Sequence, residues 1–377
     1  MSLVLEEHRR YLADSVRLDA FSRAISAVVR PGDRVLDLAS GSGILGFLAC
    51  RAGAARVYAI DNSPAIQLGR DLASANGLGD RITFLREFST RAILPEPADV
   101  LVFDQLGPMG YEAGVFEFGR DARQRLLAPG ARIIPSAVDL SFAAVESSVL
   151  RQQVAFWSEP GRDFDLSSIG PLAANTVYTS EGGDLRRLSD AGVAASLDIG
   201  GDATHIQAAL TLSLREPGRL DALCGWFTAH LAPGVTMTNA PDAAARIDRR
   251  VGLLPIEPAV PVRPGDQLTI TLLIRPADEQ IAWSGEVRRD GQAVATFRHS
   301  SFQGEIIPDE ARQAADPATR PRLSALGEAH RTVLQMCDGT VPVADIERAI
   351  LERHASALGS PAAAAAFVHE AINANCR

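Results

Sequence analysis

The chain contains no lysine; every one of its 37 Lys+Arg residues is arginine. Schiff-base chemistry and a lysine general base are therefore excluded. Long apolar runs are also missing, since none approaches the ~18 residues that span a bilayer. The opening MSLVLEEHRR carries acids in place of a hydrophobic signal core, so neither a membrane partner nor a secretory segment is expected. Cysteine is scarce, with Cys50, Cys224, Cys337 and Cys376 scattered at no metal-like spacing. The expectation is no metal and a reduced, cytoplasmic setting. Positive charge is short as well: a net charge of −9 argues against a nucleic-acid backbone, which needs a basic footprint. What is present is a globular balance, 46% apolar and 22% charged over 377 residues, enough for two or three domains with real cores.

The most informative stretch is residues 34–61, RVLDLASGSGILGFLACRAGAARVYAID. Arg34 to Leu38 has the composition of a buried parallel strand. The small-residue turn from Asp37 to Gly43 follows, then an apolar helix from Ile44 to Arg51, stopped by Gly53. A second strand, Arg56 to Ile60, runs into Asp61. This spacing predicts nucleotide binding at the carboxyl edge of a parallel sheet, with Gly41 and Gly43 allowing close backbone approach and Asp61 accepting ribose hydroxyls. The acid ahead of the glycines would repel a pyrophosphate but suits a cationic amino-acid ligand.

The order Asp37-x-Ala39-x-Gly41-x-Gly43 resembles motif I of the class I S-adenosylmethionine (SAM) methyltransferases, with Ala39 in place of the first glycine. Upstream, His8, Asp14 and Arg17 stand in the order H-x5-D-x2-R, which is similar to the segment preceding motif I in protein arginine methyltransferases. The resemblance implies that Arg17 holds the carboxylate of SAM, a bidentate task suited to a guanidinium. The bland reading of Asp14 and Arg17 is an exposed ion pair one helical turn apart. After Asp61 come a helix over 63–76, a strand over 81–86 and, by alignment with the family, Ser89 and Thr90 at the adenine ring. The strand Asp99 to Phe103 then delivers Asp104 to the carboxyl edge.

Between Asp104 and Glu112 lies a glycine-rich apolar loop bracketed by acids. In the arginine methyltransferases two glutamates occupy these places and grip the substrate guanidinium, because paired carboxylates fix the plane of the cation. Here the first acid is the shorter aspartate, and the loop is one residue tighter. The resemblance thus implies Asp104 and Glu112 as catalytic residues. It implies Arg17, Asp37, Ala39, Gly41, Gly43, Asp61, Asn62, Ser89 and Thr90 around SAM.

A helix over 117–127 and Ala128-Pro129-Gly130 lead into Arg132-Ile133-Ile134-Pro135, which resembles the family's passage into a β-barrel. Alternating strands are expected over 137–146, 205–215, 222–230 and 267–275. A hairpin over 281–299 turns at Asp290-Gly291. The stretch 155–169, with Phe164, Asp165, Ser167 and Ile169, resembles the helical arm that joins these enzymes head to tail, implying a homodimer. The other reading is a loop packed on its own barrel. The family's threonine-histidine-tryptophan loop is absent, and Arg246, Ile247 and Asp248 stand there instead. Asp248, Arg249 and Arg250 either remake the site for another nucleophile or lie on the surface.

Residues 306–322 read as a polar, proline-bearing linker. The tail from 323 onward predicts helices from Leu323 to Met336 and from Val343 to Ala355, with Thr340 capping the latter, and an alanine-rich third helix. The order L-x2-C-D-G-T-V-x-V-x-D-I is similar to the helical half of the recognition elements that bind leader peptides of ribosomally made, post-translationally modified peptides (RiPPs) by strand addition. An inert helical cap is the alternative.

The expected architecture is α/β + β. It comprises a Rossmann-like SAM-binding domain (1–135), an antiparallel β-barrel domain (136–305) with a dimerisation arm near 150–170, the linker, and a small helical domain (323–377). The expected activity is SAM-dependent methyl transfer to a side chain of a peptide or protein, with a RiPP precursor favoured. The alternatives are a methyltransferase of free arginine or another small molecule, and a non-catalytic peptide-binding partner that retains a SAM pocket.

Overall fold

A computed structural model describes residues 3–158 and 164–376. Two helices come first, α1 (Leu3–Ala13) and α2 (Ser15–Val28). They part at Asp14, whose carboxylate accepts from the Arg17 amide at 3.0 Å and so caps α2. Alternation of buried strands and amphipathic helices then builds the parallel layer: β1 (Arg34–Leu38), α3 (Ile44–Arg51), β2 (Arg56–Ile60), α4 (Ile66–Ala75), β3 (Ile82–Leu85), β4 (Ala98–Phe103), α5 (Val115–Arg125) and β5 (Leu127–Ile134). The five strands lie in the order β3-β2-β1-β4-β5, all parallel. Register decides the chemistry here. Leu38 pairs with Ile60 on one side and Phe103 on the other. The chain after β1, Asp61 after β2 and Asp104 after β4 therefore emerge at the same sheet edge, where ligands bind in such folds.

From Ala137 the pattern changes to period two. The strand β6 (Ala137–Glu146) is followed by the short helices α6 (Ser148–Ala155) and α7 (Gly170–Ala174). Then come β7 (Tyr178–Ser180), β8 (Arg186–Arg187), β9 (Gly192–Asp198), β10 (Ile206–Ser213), β11 (Gly218–Ala232), β12 (Val235–Thr238), β13 (Val251–Val262), β14 (Gln267–Arg275), β15 (Gln280–Arg289) and β16 (Gln292–Ser300). They form a seven-stranded antiparallel sheet built on β7-β13-β11-β6-β8 and a four-stranded sheet, β10-β14-β15-β16. The two sheets meet where β9 lies against β10 and β13 against β16. One continuous apolar core joins the parallel layer to this β region, running from Phe21 and Leu101 through Phe227 to Trp283. The site is thus carried on a rigid frame.

The strand β13 was not among the expected strands, and it contains Pro255, Pro258 and Pro261, a residue type that strand interiors disfavour. Its register against β11 jumps between Leu220 and Ala222, so a bulge accommodates residues 256–259. The arm also differs from expectation. Leu150 and Val154 of α6 and Ala173 and Ala174 of α7 are buried against Ala143, Trp226 and Val251 of the chain's own sheet. Part of the arm's apolar surface therefore needs no partner, although Phe164 stays 79% exposed. Residues 159–163 of the expected arm lie outside the described residues.

The chain divides into two compact units, Met1–Glu305 and Ile306–Arg377. In the second, the expected linker contains a helix, α8 (Asp309–Ala315), before α9 (Ala325–Met336), α10 (Val343–Leu358) and α11 (Pro361–Asn375). Val333, Ile350 and Val368 form its own small core. Thr340 does not cap α10: its hydroxyl bonds Asp338 at 2.7 Å, and Pro342 occupies the cap position. No strand accompanies these helices among the described residues of this unit.

Candidate active site

The parallel sheet's carboxyl edge opens into a cavity of about 480 Å³, roofed on one side by Glu7, His8 and Tyr11 of α1. Its floor is the turn after β1. Ala39 adopts φ +54° and Gly41 φ +50°, the left-handed region. A Cβ on Gly41 would come within 2.4 Å of the His8 ring, so only glycine allows α1 to approach this closely. At Ala39 the chain tolerates the strain that a glycine would avoid.

Asp61 stands at the rim with its carboxylate fixed by two backbone amides, Gly41 to Oδ2 and Ser63 to Oδ1, each at 2.8 Å. Each oxygen keeps a lone pair for a diol. Asn62 and Ser89 also line the cavity, as do Glu87 and Phe88. Asp37 lies just beneath the floor, fully buried. Its Oδ2 accepts from Gly46 N at 2.8 Å, while Oδ1 has no hydrogen-bond partner among the described residues. Burial pushes its carboxyl up to about 7, with the Asp61 charge adding to the shift and the Gly46 amide and Arg17 opposing it.

At the far end of the cavity, Arg17 leaves α2 with its guanidinium over the rings of Tyr11 and Phe21, at 5.6 and 5.5 Å. Its Nε donates to Asp104 Oδ2 at 2.5 Å. Asp14, the partner of Arg17 in the bland reading, instead caps α2 and accepts the Asp248 amide at 2.8 Å. Asp104 is also held by Arg249, Nη1 to Oδ1 at 3.3 Å and Nη2 to Oδ2 at 3.2 Å. Burial alone would raise the Asp104 carboxyl, but Arg249 and Arg17 outweigh it and hold the group below the usual carboxylate range.

Not every expected site residue meets this cavity. Gly43 forms the N-cap of α3 behind the floor, and Thr90 is exposed and away from the lining. Glu112 is buried with its carboxylate turned into its own loop, where Met109 N and Tyr111 N donate at 3.1 and 3.2 Å. Burial pushes its carboxyl up to about 7 against these donors. Sequence reading did not single out Tyr11 and Glu7 as site residues. The available signal was their helical spacing around His8, which puts all three on one face of α1.

The cavity fits an amino-acid nucleoside. A diol-binding acid stands at one wall, an orphaned carboxylate oxygen lies under the floor, and a guanidinium stands at the other end. Comparison with known proteins agrees. Residues 21–109 match the family model of ribosomal protein L11 methyltransferase (PrmA). Two solved structures share the fold, each with TM-score 0.69. One is the Trypanosoma brucei PRMT1 enzyme-prozyme heterotetrameric complex with AdoHcy, at 19% identity over 78% of this chain and 97% of that one. The other is Arabidopsis thaliana protein arginine methyltransferase 10, at 21% identity over 79% and 98%. Protein arginine N-methyltransferase 6 of Xenopus laevis is 31% identical over 46% of this chain, which spans about half (52%) of that relative's length. The arginine N(omega)-methyltransferase of Streptomyces achromogenes is 30% identical over 271 residues, 70% of this chain and 75% of the relative. With that extent of match added to the motif and the sheet-edge geometry, the chain belongs to the arginine N-methyltransferase family of SAM-dependent methyltransferases.

Proposed function

We propose that this chain methylates a side chain of a peptide or protein presented to Asp104, and that SAM lies along the cavity from Asp61 to Arg17. When bound, SAM supplies an electrophilic methyl group on a sulfonium. The protein's part is positional and electrostatic. Asp61 is oriented to take the ribose hydroxyls. Arg17 suits a carboxylate, and its Nη2 makes no hydrogen bond among the described residues. Asp37 and Asp61 place negative charge near the ammonium and sulfonium. Ser89, with Phe88, offers the adenine end a buried polar group beside an aromatic ring. Glu112 acts through the loop, fixing the backbone that follows Asp104. The single observation that carries this reading is the Arg17–Asp104 ion pair, which joins the cofactor end of the cavity to the acceptor end.

The test is calorimetric titration of the full chain with SAM, then incubation with candidate peptides and mass spectrometry for the gain of one methyl group. Saturable binding that Asp61→Ala weakens severely is expected. Absence of binding, or indifference to that substitution, overturns the reading. The name of the Streptomyces relative favours a second reading, in which the acceptor is free arginine or a similar small molecule.

The exposed Phe164 supports a homodimer joined through the arm. Size-exclusion chromatography with light scattering checks it, and a monomer that persists at high concentration removes it. The helical unit is proposed to take the precursor peptide. A groove lined by Leu323, Leu326, Leu334 and Phe367 supports that role. Removal of residues 310–377 is expected to reduce methylation of a full-length precursor while leaving SAM binding intact.

A further inference from the structure

The acceptor end of the cavity is short of negative charge. Arg17 and Arg249 bring two guanidinium groups to it and Asp104 brings one carboxylate, which leaves one positive charge in excess. The carboxylate of SAM on Arg17 would match that excess and no more, so a guanidinium acceptor entering as a cation restores it. Asp104 can still take a hydrogen bond from such an acceptor. Its Oδ1 accepts only from Arg249 Nη1 among the described residues, at 3.3 Å, and keeps a lone pair. What Asp104 lacks is a second negative charge. Glu112 does not supply it. Its carboxylate is no part of the cavity lining and lies under its own loop, where a Cβ on Gly107 would come within 2.6 Å of Oε2. Burial pushes it up to about 7, so near neutrality it is an anion only in part.

A carboxylate on the roof is placed to make up the deficit. Glu7 lines the cavity from α1 and forms no ion pair among the described residues. Its Oε1 accepts from the Tyr11 hydroxyl, one helical turn on, at 3.2 Å, and its Oε2 has no hydrogen-bond partner among the described residues. Tyr11 ties this carboxylate to the acceptor end. The Tyr11 ring lies 5.6 Å from the Arg17 guanidinium, and the Tyr11 carbonyl accepts from Arg17 Nη1 at 3.3 Å. Burial raises the Tyr11 hydroxyl, and the charges of Glu7, Arg249 and Asp104 all reach it. Resting on the SAM reading above, we infer that Glu7 is the second carboxylate of the acceptor site. With Asp104 it binds a guanidinium, borne by a peptide's arginine side chain or by free arginine. The two acids stand on separate elements, α1 and the end of β4. They can therefore engage two edges of one planar cation, which orients the acceptor as well as attracting it.

The test uses the full chain saturated with S-adenosylhomocysteine. It is titrated calorimetrically with N-acetylarginine amide, with free L-arginine and with N-acetylcitrulline amide, whose side chain keeps the shape of arginine without the charge. Wild type is expected to bind an arginine probe about tenfold or more tightly than the citrulline probe. The tighter of the two arginine probes tells a peptide-borne acceptor from a free one. Glu7→Gln keeps the size of the side chain and removes its charge. It should weaken the arginine probes about tenfold or more, in keeping with loss of a charge-assisted pair, and leave citrulline and S-adenosylhomocysteine within about twofold of wild type. A displaced α1 would instead weaken all of them, which separates binding from a structural role. Glu7→Asp restores the charge at shorter reach and should recover part of the lost affinity. Arginine binding indifferent to Glu7→Gln, or a parallel loss of S-adenosylhomocysteine affinity, overturns the proposal. So does a wild type that does not distinguish arginine from citrulline. Failure of S-adenosylhomocysteine to bind wild type would instead strike the SAM reading.

Discussion

Arg17 and Asp104, 87 residues apart in sequence, are joined by a 2.5 Å hydrogen bond from Nε to Oδ2 with both side chains under a tenth exposed. Asp104 is thereby an anion shared between the helix that precedes the sheet and Arg249 ahead of β13. Asp104→Asn would leave two buried guanidinium groups without their counter-charge. The expected cost is about 3–5 kcal/mol of stability, read by urea denaturation of the first unit's transition. A loss below about 1 kcal/mol would show that the pair is not structural.

Asp37 should make SAM affinity depend on pH. Its carboxyl stands at about 7 when the protein is free, raised mainly by burial. A cationic ligand overhead favours the ionised form, so binding below pH 7 must release a proton. Affinity is expected to rise as pH climbs toward 7 and to level off above it. Asp37→Asn should flatten that profile and lower the plateau. Calorimetry in buffers of different ionisation enthalpy counts the proton directly, and zero proton release at pH 6 would refute the coupling.

Glu112 predicts a pH dependence of stability with a definite sign. Its carboxyl moves from 4.5 to about 7 on folding, because burial outweighs the amides that hold it. Between these values the folded chain keeps the proton and the unfolded chain has lost it. The stabilising contribution is therefore complete below pH 4.5 and disappears as pH rises to 7. Glu112→Gln stays neutral throughout and can still accept one amide bond. It should match wild type near pH 4.5 and exceed it by up to about 3 kcal/mol at pH 8. Denaturation midpoints for the pair across that range check it, and parallel profiles would defeat it.

How much of this was legible in the sequence depends on how far apart the interacting residues lie. The strand limits Arg34–Leu38 and Arg56–Ile60 could be read directly, because each is a short buried apolar run bounded by small residues and an acid. The acids that end β2 and β4 were legible for the same reason. The strand β13 was hidden by its prolines, of which the bulge at 256–259 absorbs Pro258 while Pro255 and Pro261 stay in register opposite Ala222 and Arg219. The helix α8 was hidden in a polar stretch whose composition resembles a linker. At the site, Glu112 was found as a residue, but the direction of its carboxylate, inward to Met109 and Tyr111, has no sequence signature. Arg249 shows the same limit at longer range. It meets Asp104 across 145 residues, and only folding of the β region onto the parallel sheet brings them together.

Ala39 makes the motif itself testable. Its φ of +54° puts an L-side chain in the left-handed region, at a position where the resembling motif has glycine. The strain there is on the order of 1 kcal/mol, and the extra freedom glycine gives the unfolded chain offsets part of it. Ala39→Gly should therefore stabilise the first unit by about 0.5–1 kcal/mol, the opposite of the usual effect of introducing glycine. Ala27, exposed within α2, supplies the control: its replacement by glycine should cost up to about 1 kcal/mol. Thermal unfolding of both variants beside wild type reads the two signs. If Ala39→Gly destabilises as Ala27→Gly does, the strain assigned to the turn is absent.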